Sequence, residues 1–445
     1  MSLMDEIAAF VVDTEFSDIP TETVEFTKHL TSKIVAAMLY GATTRAGSGA
    51  SDYVRLKNGP ADAGIIGAKF RCSTADAVFV NGITSHAAEL EDDQFSCSVS
   101  DINIFPVIFP LVETEGLSGR KFIEASAIGL EIMNRIGMRS VSSQGITDLP
   151  FFGVIGSAVT AAKALNLSAE QVKWAIGISI GRASGYIVNF GTDAHYVESA
   201  GACSDGLLAA ELAKRDLTGT TDLEKWLRED VWKDHDIDLE PIVRDLGQSP
   251  WRAHETWVKK YPCCFLTHRH VDMMGEILKE NDYSYDQISE VHCHVGPVDS
   301  TCDRPVPTDP EHARFSFQHI IACLMLYGEV DSHHFTWQML ENSAVSEARK
   351  KVSVTEHSDW PREFMSGVAK LRVTLKSGEV KEKTRAKALG SPAEPLSADQ
   401  FKDLFFKYTK PVLSQENAAF VWESLNKLDE MDELNELMER IIFPE

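Results

Sequence analysis

The sequence predicts a mainly α-helical protein: a large helical domain built from both chain ends, with a smaller inserted α+β lid domain. Three observations lead there. Apolar residues recur at helical spacing through the first 280 positions, β-rich alternation is confined to residues 286–384, and capping chemistry restores helix after Pro392 and Pro395. The expected segments are 1–269 (helical domain, first part), 270–392 (α+β lid) and 393–445 (helical return).

Each element has its own signal. Met1-Ser-Leu-Met-Asp-Glu-Ile carries acids where a targeting leader carries bases, so it reads as a helix start and the cytosol as the compartment. Residues 20–40 open on Pro20 and run through Val24, Leu30, Ile34, Ala37 and Leu39 to Gly41, a helix with a defined start and stop. Thr43–Ser51, with Gly47 and Gly49, reads as a flexible loop; without a Lys-Ser/Thr end or a preceding strand it is no phosphate cradle. Ile102–Val112 is about half a membrane span and is broken by Asn103, Pro106 and Pro110.

Ser118 opens a helix whose Phe122, Ala125, Ile128, Ile132 and Ile136 form one stripe, and Ser168-Ala-Glu-Gln171 is a capping box. The small residues of 153–164 and 200–213 suit core helices that approach closely.

From residue 286 the pattern changes. Ile288–Val295 alternates as a strand, residues 314–328 and 335–349 read as helices, and Lys351–Thr355 as another strand. Val368–Leu375 meets Glu379–Thr384 across Ser377-Gly378, a hairpin with Ala369, Leu371, Val373 and Leu375 on one face. Ser397-Ala-Asp-Gln400 then caps the returning helix.

Composition narrows the function. With 43 basic and 67 acidic residues the net charge is −24, which disfavours nucleic acid and anionic membranes as partners. Eight cysteines without a C-x-x-C give neither a disulfide scaffold nor a zinc motif. His268/His270 and His292/His294 form two H-x-H pairs, the latter on one face of a strand, but no further ligand follows at a known spacing, so no metal is expected. Cys263-Cys264 lacks an identifiable base and reads as a buried turn.

Four stretches, in order, carry a family resemblance: Asn81-Gly-Ile-Thr-Ser-His-Ala-Ala-Glu-Leu-Glu-Asp92, Gly153–Leu167, Tyr261-Pro-Cys-Cys-Phe-Leu-Thr-His268, and Asp303-Arg-Pro-Val-Pro with Ala313–Ile320. They resemble the MmgE/PrpD family. That resemblance implies a helical domain with a smaller lid, a homodimer, no cofactor and a small-molecule substrate from which a proton is removed beside a carboxylate. Such chemistry needs a base near neutrality and groups that receive the developing charge.

The sequence departs from the family pattern at several columns. Glu89 stands for the first loop Asp, with Glu91 and Asp92 at the next acidic positions and Asp93 at the usual Thr or Ser; Val99-Ser100 replaces His-Pro. Thr147 replaces a second His, His195 the Lys of a Gly-Thr-x-x-Lys segment, Glu198 its following His, Phe265 an Arg, and His319 an aromatic hydroxyl. Fewer cations imply a substrate less anionic than citrate, and neither 2-methylcitrate nor cis-aconitate.

The expected catalytic residues are therefore His195, His319, Glu89, Asp92 and Asp93. His195 and His319 are imidazoles able to titrate near neutrality, and the crowded carboxylates can raise one another's pKa. Arg304, whose fork can bind a carboxylate, Thr147, His86, His268 and Cys264 are the expected substrate contacts. The leading expectation is a cofactor-independent lyase of dehydratase or decarboxylase type; an isomerase, epimerase or cyclase of the same fold, and a non-catalytic binding protein, are the alternatives.

Overall fold

Ser2, Thr44, Ser73, Ser118 and Ser168 each precede a helix and accept a hydrogen bond from a backbone N–H of its first turn. In the computed structural model, which describes residues 2–444 other than Ser96 and Asp234, these caps help define α1 (Leu3–Asp13), α2 (Thr21–Gly41), α3 (Arg45–Lys57), α4 (Thr74–Ala87), α5 (Phe105–Glu115), α6 (Gly119–Ile136), α7 (Asp148–Ala164), α8 (Ala169–Ile180) and α9 (Asp193–Ala213). Together with residues 397–445 they form the first of two units, 1–257 plus 397–445; the second is 258–396. No described helix is long and apolar enough to cross a membrane.

The small-residue stretches do pack closely. A Cβ on Gly206 of α9 would lie 2.3 Å from Ser157 Cβ of α7, and one on Gly82 of α4 would lie 2.8 Å from Ala200 Cα of α9. Both approaches exist only because a side chain is missing. Helices Ala398–Thr409 and Gln415–Asn426 return to pack on α2, where His29 stacks on Phe401 with centroids 4.8 Å apart. The box expected at Ser397 and Gln400 is present.

Two local expectations require correction. Thr43–Ser51 is not a loop: Thr44 caps α3 through Gly47 N–H at 3.1 Å, and Gly47 is where α3 meets the end of α2, a Cβ there falling 2.2 Å from Gly41 O. The glycine marks a close approach rather than a break. Residues 335–349 form two short helices, Trp337–Glu341 and Ser343–Arg349, because Asn342 leaves helical geometry and caps the second through Ala344 and Val345 N–H.

Short strands complete the first unit. β1 (Ala63–Gly64) pairs with β2 (Arg71–Cys72), and β3 (Asp93–Phe95) lies between β4 (Ser98–Ser100) and β5 (Thr256–Trp257), all antiparallel. In the second unit a four-stranded sheet runs β7 (Val352–Glu356), β6 (Ile288–Val295), β8 (Ala369–Leu375), β9 (Val380–Arg385), with β6 and β7 parallel. Val291, Cys293, Leu371 and Val373 are buried on one face, and helices His268–Asn281 and Phe317–Tyr327 belong to the same unit. This unit starts at Val258, ahead of position 270, because Val258 N–H donates to Gly390 O at 2.8 Å and ties the ends of the insert together.

Candidate active site

In the first unit the site forms where α4 ends against the start of α9. The Gly82–Ala200 approach brings His86, on the last turn of α4, to α9: its ring meets His195 edge to face at 4.7 Å and Tyr196 at 4.8 Å. His86 Nδ1 is 3.0 Å from Ser199 Oγ, and Ser199 Oγ donates to His195 O at 3.1 Å. With its one proton spent there, Ser199 accepts from His86 Nδ1–H. Nε2 faces Glu91 Oε1 at 3.8 Å.

After α4 the chain turns through Glu89, whose φ of 55° is left-handed. A non-glycine residue pays roughly 1–2 kcal/mol for that conformation, a strain often found at functional loops. One donor atom each from His86, Glu89 and Glu91, all buried, lie within 4.8 Å of one another. The set has donors for a divalent cation and can equally share a proton, which is what acid–base chemistry requires of it.

Asp92 is committed elsewhere. It pairs with Lys33 of α2, both buried, and Lys33 also donates to Leu90 O at 2.5 Å. Asp92 N–H donates to Asp101 Oδ1 at 3.0 Å; burial and then the Asp92 charge push the Asp101 carboxyl well above the usual carboxylate range. Asp93, also buried, lies on β3 opposite Ser100 and Trp257.

His195 follows the Gly191-Thr192-Asp193 turn on the first turn of α9 and is 7% exposed. Its Nδ1 is 3.7 Å from Glu198 Oε2, and its ring abuts Phe190 at 4.6 Å. Glu198 Oε1 accepts from Asn189 Nδ2 at 2.6 Å and Tyr186 N–H at 3.1 Å. Burial raises the Glu198 carboxyl, but the facing His195 and the hydrogen bonds from Asn189 and Tyr186 outweigh it and hold the group below its ordinary value. Thr147, buried at the start of α7, donates its N–H at 3.2 Å to Gly185 O, next to Tyr186, so it borders the same loop.

The remaining candidates lie in the second unit. Cys264 N–H donates to Arg314 O at 3.0 Å, and its thiol bonds Cys302, which this contact and burial push up. His268 is buried, stacked on Phe265 at 4.5 Å, with Nε2 3.2 Å from Cys263 O. Arg304 is half-buried over the Phe315 ring and donates from Nε to Thr301 O at 3.2 Å. Its peptide is tied to Gln318 and Ser316, which fixes the Arg-Pro turn.

His319 is fully buried. Nε2 donates to His334 O at 2.8 Å, Nδ1 faces Arg349 Nη1 at 3.4 Å, and burial pulls its pKa down to about 4. That is the environment of a neutral, fixed imidazole.

The structure thus unites His86, His195, Glu89 and, through the loop, Thr147. It adds Glu91, Glu198 and Ser199, which sequence reasoning did not place among the site residues. Glu198 had a signal: three residues after His195 on a helix, it shares that face. Lys33 had one too, a lysine inside the apolar run of α2. The Lys33–Asp92 pairing itself had none.

Residues 5–226 match the MmgE/PrpD N-terminal domain and residues 261–429 the MmgE/PrpD C-terminal domain. The chain is 24% identical over 384 residues to cis-aconitate decarboxylase of Mus musculus, covering 81% of this chain and 77% of that one. It is 22% identical over 465 residues to the Homo sapiens cis-aconitate decarboxylase, covering 97% and 92%. It is also 22% identical over 456 residues to a cis-aconitate decarboxylase-like protein of Aspergillus oryzae, covering 95% and 94%. With both halves matched in order across nearly its whole length, the chain belongs to the MmgE/PrpD family.

Proposed function

We propose that the protein is a cofactor-independent lyase in which His195, oriented by Glu198, removes a proton beside a carboxylate of a small metabolite. The observation that carries this reading is the His86–His195 contact flanked by Glu91 on one side and Glu198 on the other. Neighbouring imidazoles divide the work: His195 takes the proton, and the C–H electron pair becomes a C=C bond. The leaving hydroxide departs as water with a proton from His86, which Glu91 helps to hold in its charged form. If carbon dioxide leaves instead, no C–H bond is broken: the pair released from the C–C bond takes a proton from protonated His195, which solvent reprotonates.

His319, with both ring nitrogens engaged in the second unit, is assigned a structural role, and so is Asp92. Glu89 and Glu91 beside His86, and Glu198 beside His195, add negative charge around the imidazoles, which favours a substrate carrying fewer charges than citrate. Thr147 and His86 are the substrate contacts of the first unit. Family likeness and the exposure of Tyr186, Val188, Phe190 and Val197 support a homodimer, expected to show twice the 49.3 kDa chain mass by light scattering.

The test is a panel of small hydroxy- and unsaturated carboxylic acids incubated with enzyme in D₂O and followed by NMR. Loss of water or carbon dioxide with exchange at the acidic carbon supports the lyase. Exchange and isomer formation without elimination replaces it with an isomerase or epimerase; no exchange with any acid, while a metabolite still co-purifies, makes the protein a binder.

A further inference from the structure

The pair His292/His294 lies outside the chemistry above, and the fold gives it a partner that sequence spacing does not show. Both project from the same face of β6, their rings parallel to within 4° and 4.6 Å apart. His292 Nε2 is anchored to Thr355 Oγ1 of β7 at 2.7 Å. Just past β7, His357 N–H donates to Val295 O at 2.9 Å, extending the parallel ladder and carrying the His357 ring to His294. His294 Nδ1 and His357 Nε2 end 3.0 Å apart.

On its far side, His357 Nδ1 is 3.9 Å from Asp359 Oδ1, and Trp360 stacks on the ring at 4.5 Å. The carboxylate favours the Nδ1–H tautomer, which turns the Nε2 lone pair toward His294. A carboxylate behind an imidazole is the usual outer support of a metal-ligating histidine. The cations facing the cluster from β8, Lys370 and Arg372, are both shared with Glu382 of β9, at 3.0 and 3.6 Å.

We propose that His294 Nδ1 and His357 Nε2 form a binding site for a divalent transition-metal ion, with His292 stacked as a brace and Asp359 as the outer carboxylate. The spacing selects the kind of ion. Two metal–nitrogen bonds of about 2.0–2.1 Å at a right angle separate their donors by about 2.9 Å, against about 3.4 Å at a tetrahedral angle. A separation of 3.0 Å therefore suits adjacent corners of a tetragonal Cu(II) or Ni(II) site better than zinc, with water completing the shell. Held there, the ion would clip the segment after β7 to the sheet.

The experiment titrates metal-free full-length protein with CuCl₂ at pH 7.4, reading Trp fluorescence and Cu(II) electron paramagnetic resonance. The expected result is one copper per chain with nitrogen coupling from two imidazoles, and quenching that Trp360→Phe reduces without changing the resonance spectrum. His357→Gln and His294→Gln should each weaken binding at least about tenfold, and Asp359→Asn by about tenfold. His357 lies outside the strand, so its variant keeps the test valid if His294→Gln fails to fold. His86→Gln should leave copper binding unchanged. A wild-type spectrum without two-nitrogen coupling, or one that persists in His357→Gln, would overturn the site and leave a simple imidazole–imidazole hydrogen bond.

Discussion

His86 and His195 meet edge to face with ring centroids 4.7 Å apart, although 109 positions separate them in the chain. Ser199 joins them, taking the His86 Nδ1 proton while donating its own to the His195 carbonyl. Each imidazole thereby has a defined outward neighbour, Glu91 for one and Glu198 for the other.

His195→Gln should fold normally and lower the chemical step by about 10²–10⁴-fold, the effect of removing a positioned base. Glu198→Gln, which keeps the side chain's size but removes the charge facing His195, should lower kcat by about tenfold and leave KM nearly unchanged. Solvent-deuterium exchange at the substrate carbon should fall in parallel; unchanged exchange in folded His195→Gln would move the base to the Glu89–Asp93 loop.

2-Methylcitrate and cis-aconitate should be poor substrates, since Val99, Thr147, His195 and Phe265 stand at columns where the family resemblance places other polar or cationic groups. Assays at millimolar substrate should give turnover far below the ~10 s⁻¹ typical of enzymes on their own substrates. Turnover near that figure with either acid would defeat the substrate reading.

Lys33→Met should be severely destabilising, by roughly 3–5 kcal/mol, because it strands the buried Asp92 carboxylate beside Asp101. Adding Asp92→Asn should recover much of the loss, which urea unfolding of the single and double variants would reveal. Equal stability of the two would mean that the pair contributes little.

Acid should weaken the second unit through its buried histidines. Burial lowers His319 from 6.5 to about 4 and His270 from 6.5 to about 3. Between these values and 6.5 the unfolded chain binds more protons than the folded one, so stability is full above pH 6.5 and lost as pH falls toward 4 and 3. The limiting slope is about 1.4 kcal/mol per pH unit for each histidine. His319→Gln, which can still donate to the His334 carbonyl, should flatten the dependence of the urea midpoint on pH in this window.

Much of the scaffold was legible because its signals are local. A serine three residues ahead of a glutamine marks a helix start at Ser168 and Ser397, and alternation marks β6 and the β8–β9 hairpin, since backbone hydrogen bonding near the chain decides these features. The family resemblance likewise pointed to His86, Glu89 and His195, and folding sets His86 against His195 and near Glu89. Composition and spacing did not reveal whether Gly47 ends a helix or lets two helices touch, nor that Asn342 divides 335–349, because the deciding contacts lie across space.

The sequence by itself determined the helical class, the inserted α+β segment and the histidines and carboxylates available for chemistry. Tertiary structure alone decided their use: Lys33 neutralises Asp92, Arg349 and a carbonyl hold His319, Glu198 faces His195, and His357 reaches His294 from 63 residues away. The reason is physical. Residue type fixes which protons and lone pairs exist, but burial and the neighbour brought in by packing fix whether an imidazole is a base, a ligand or part of the frame.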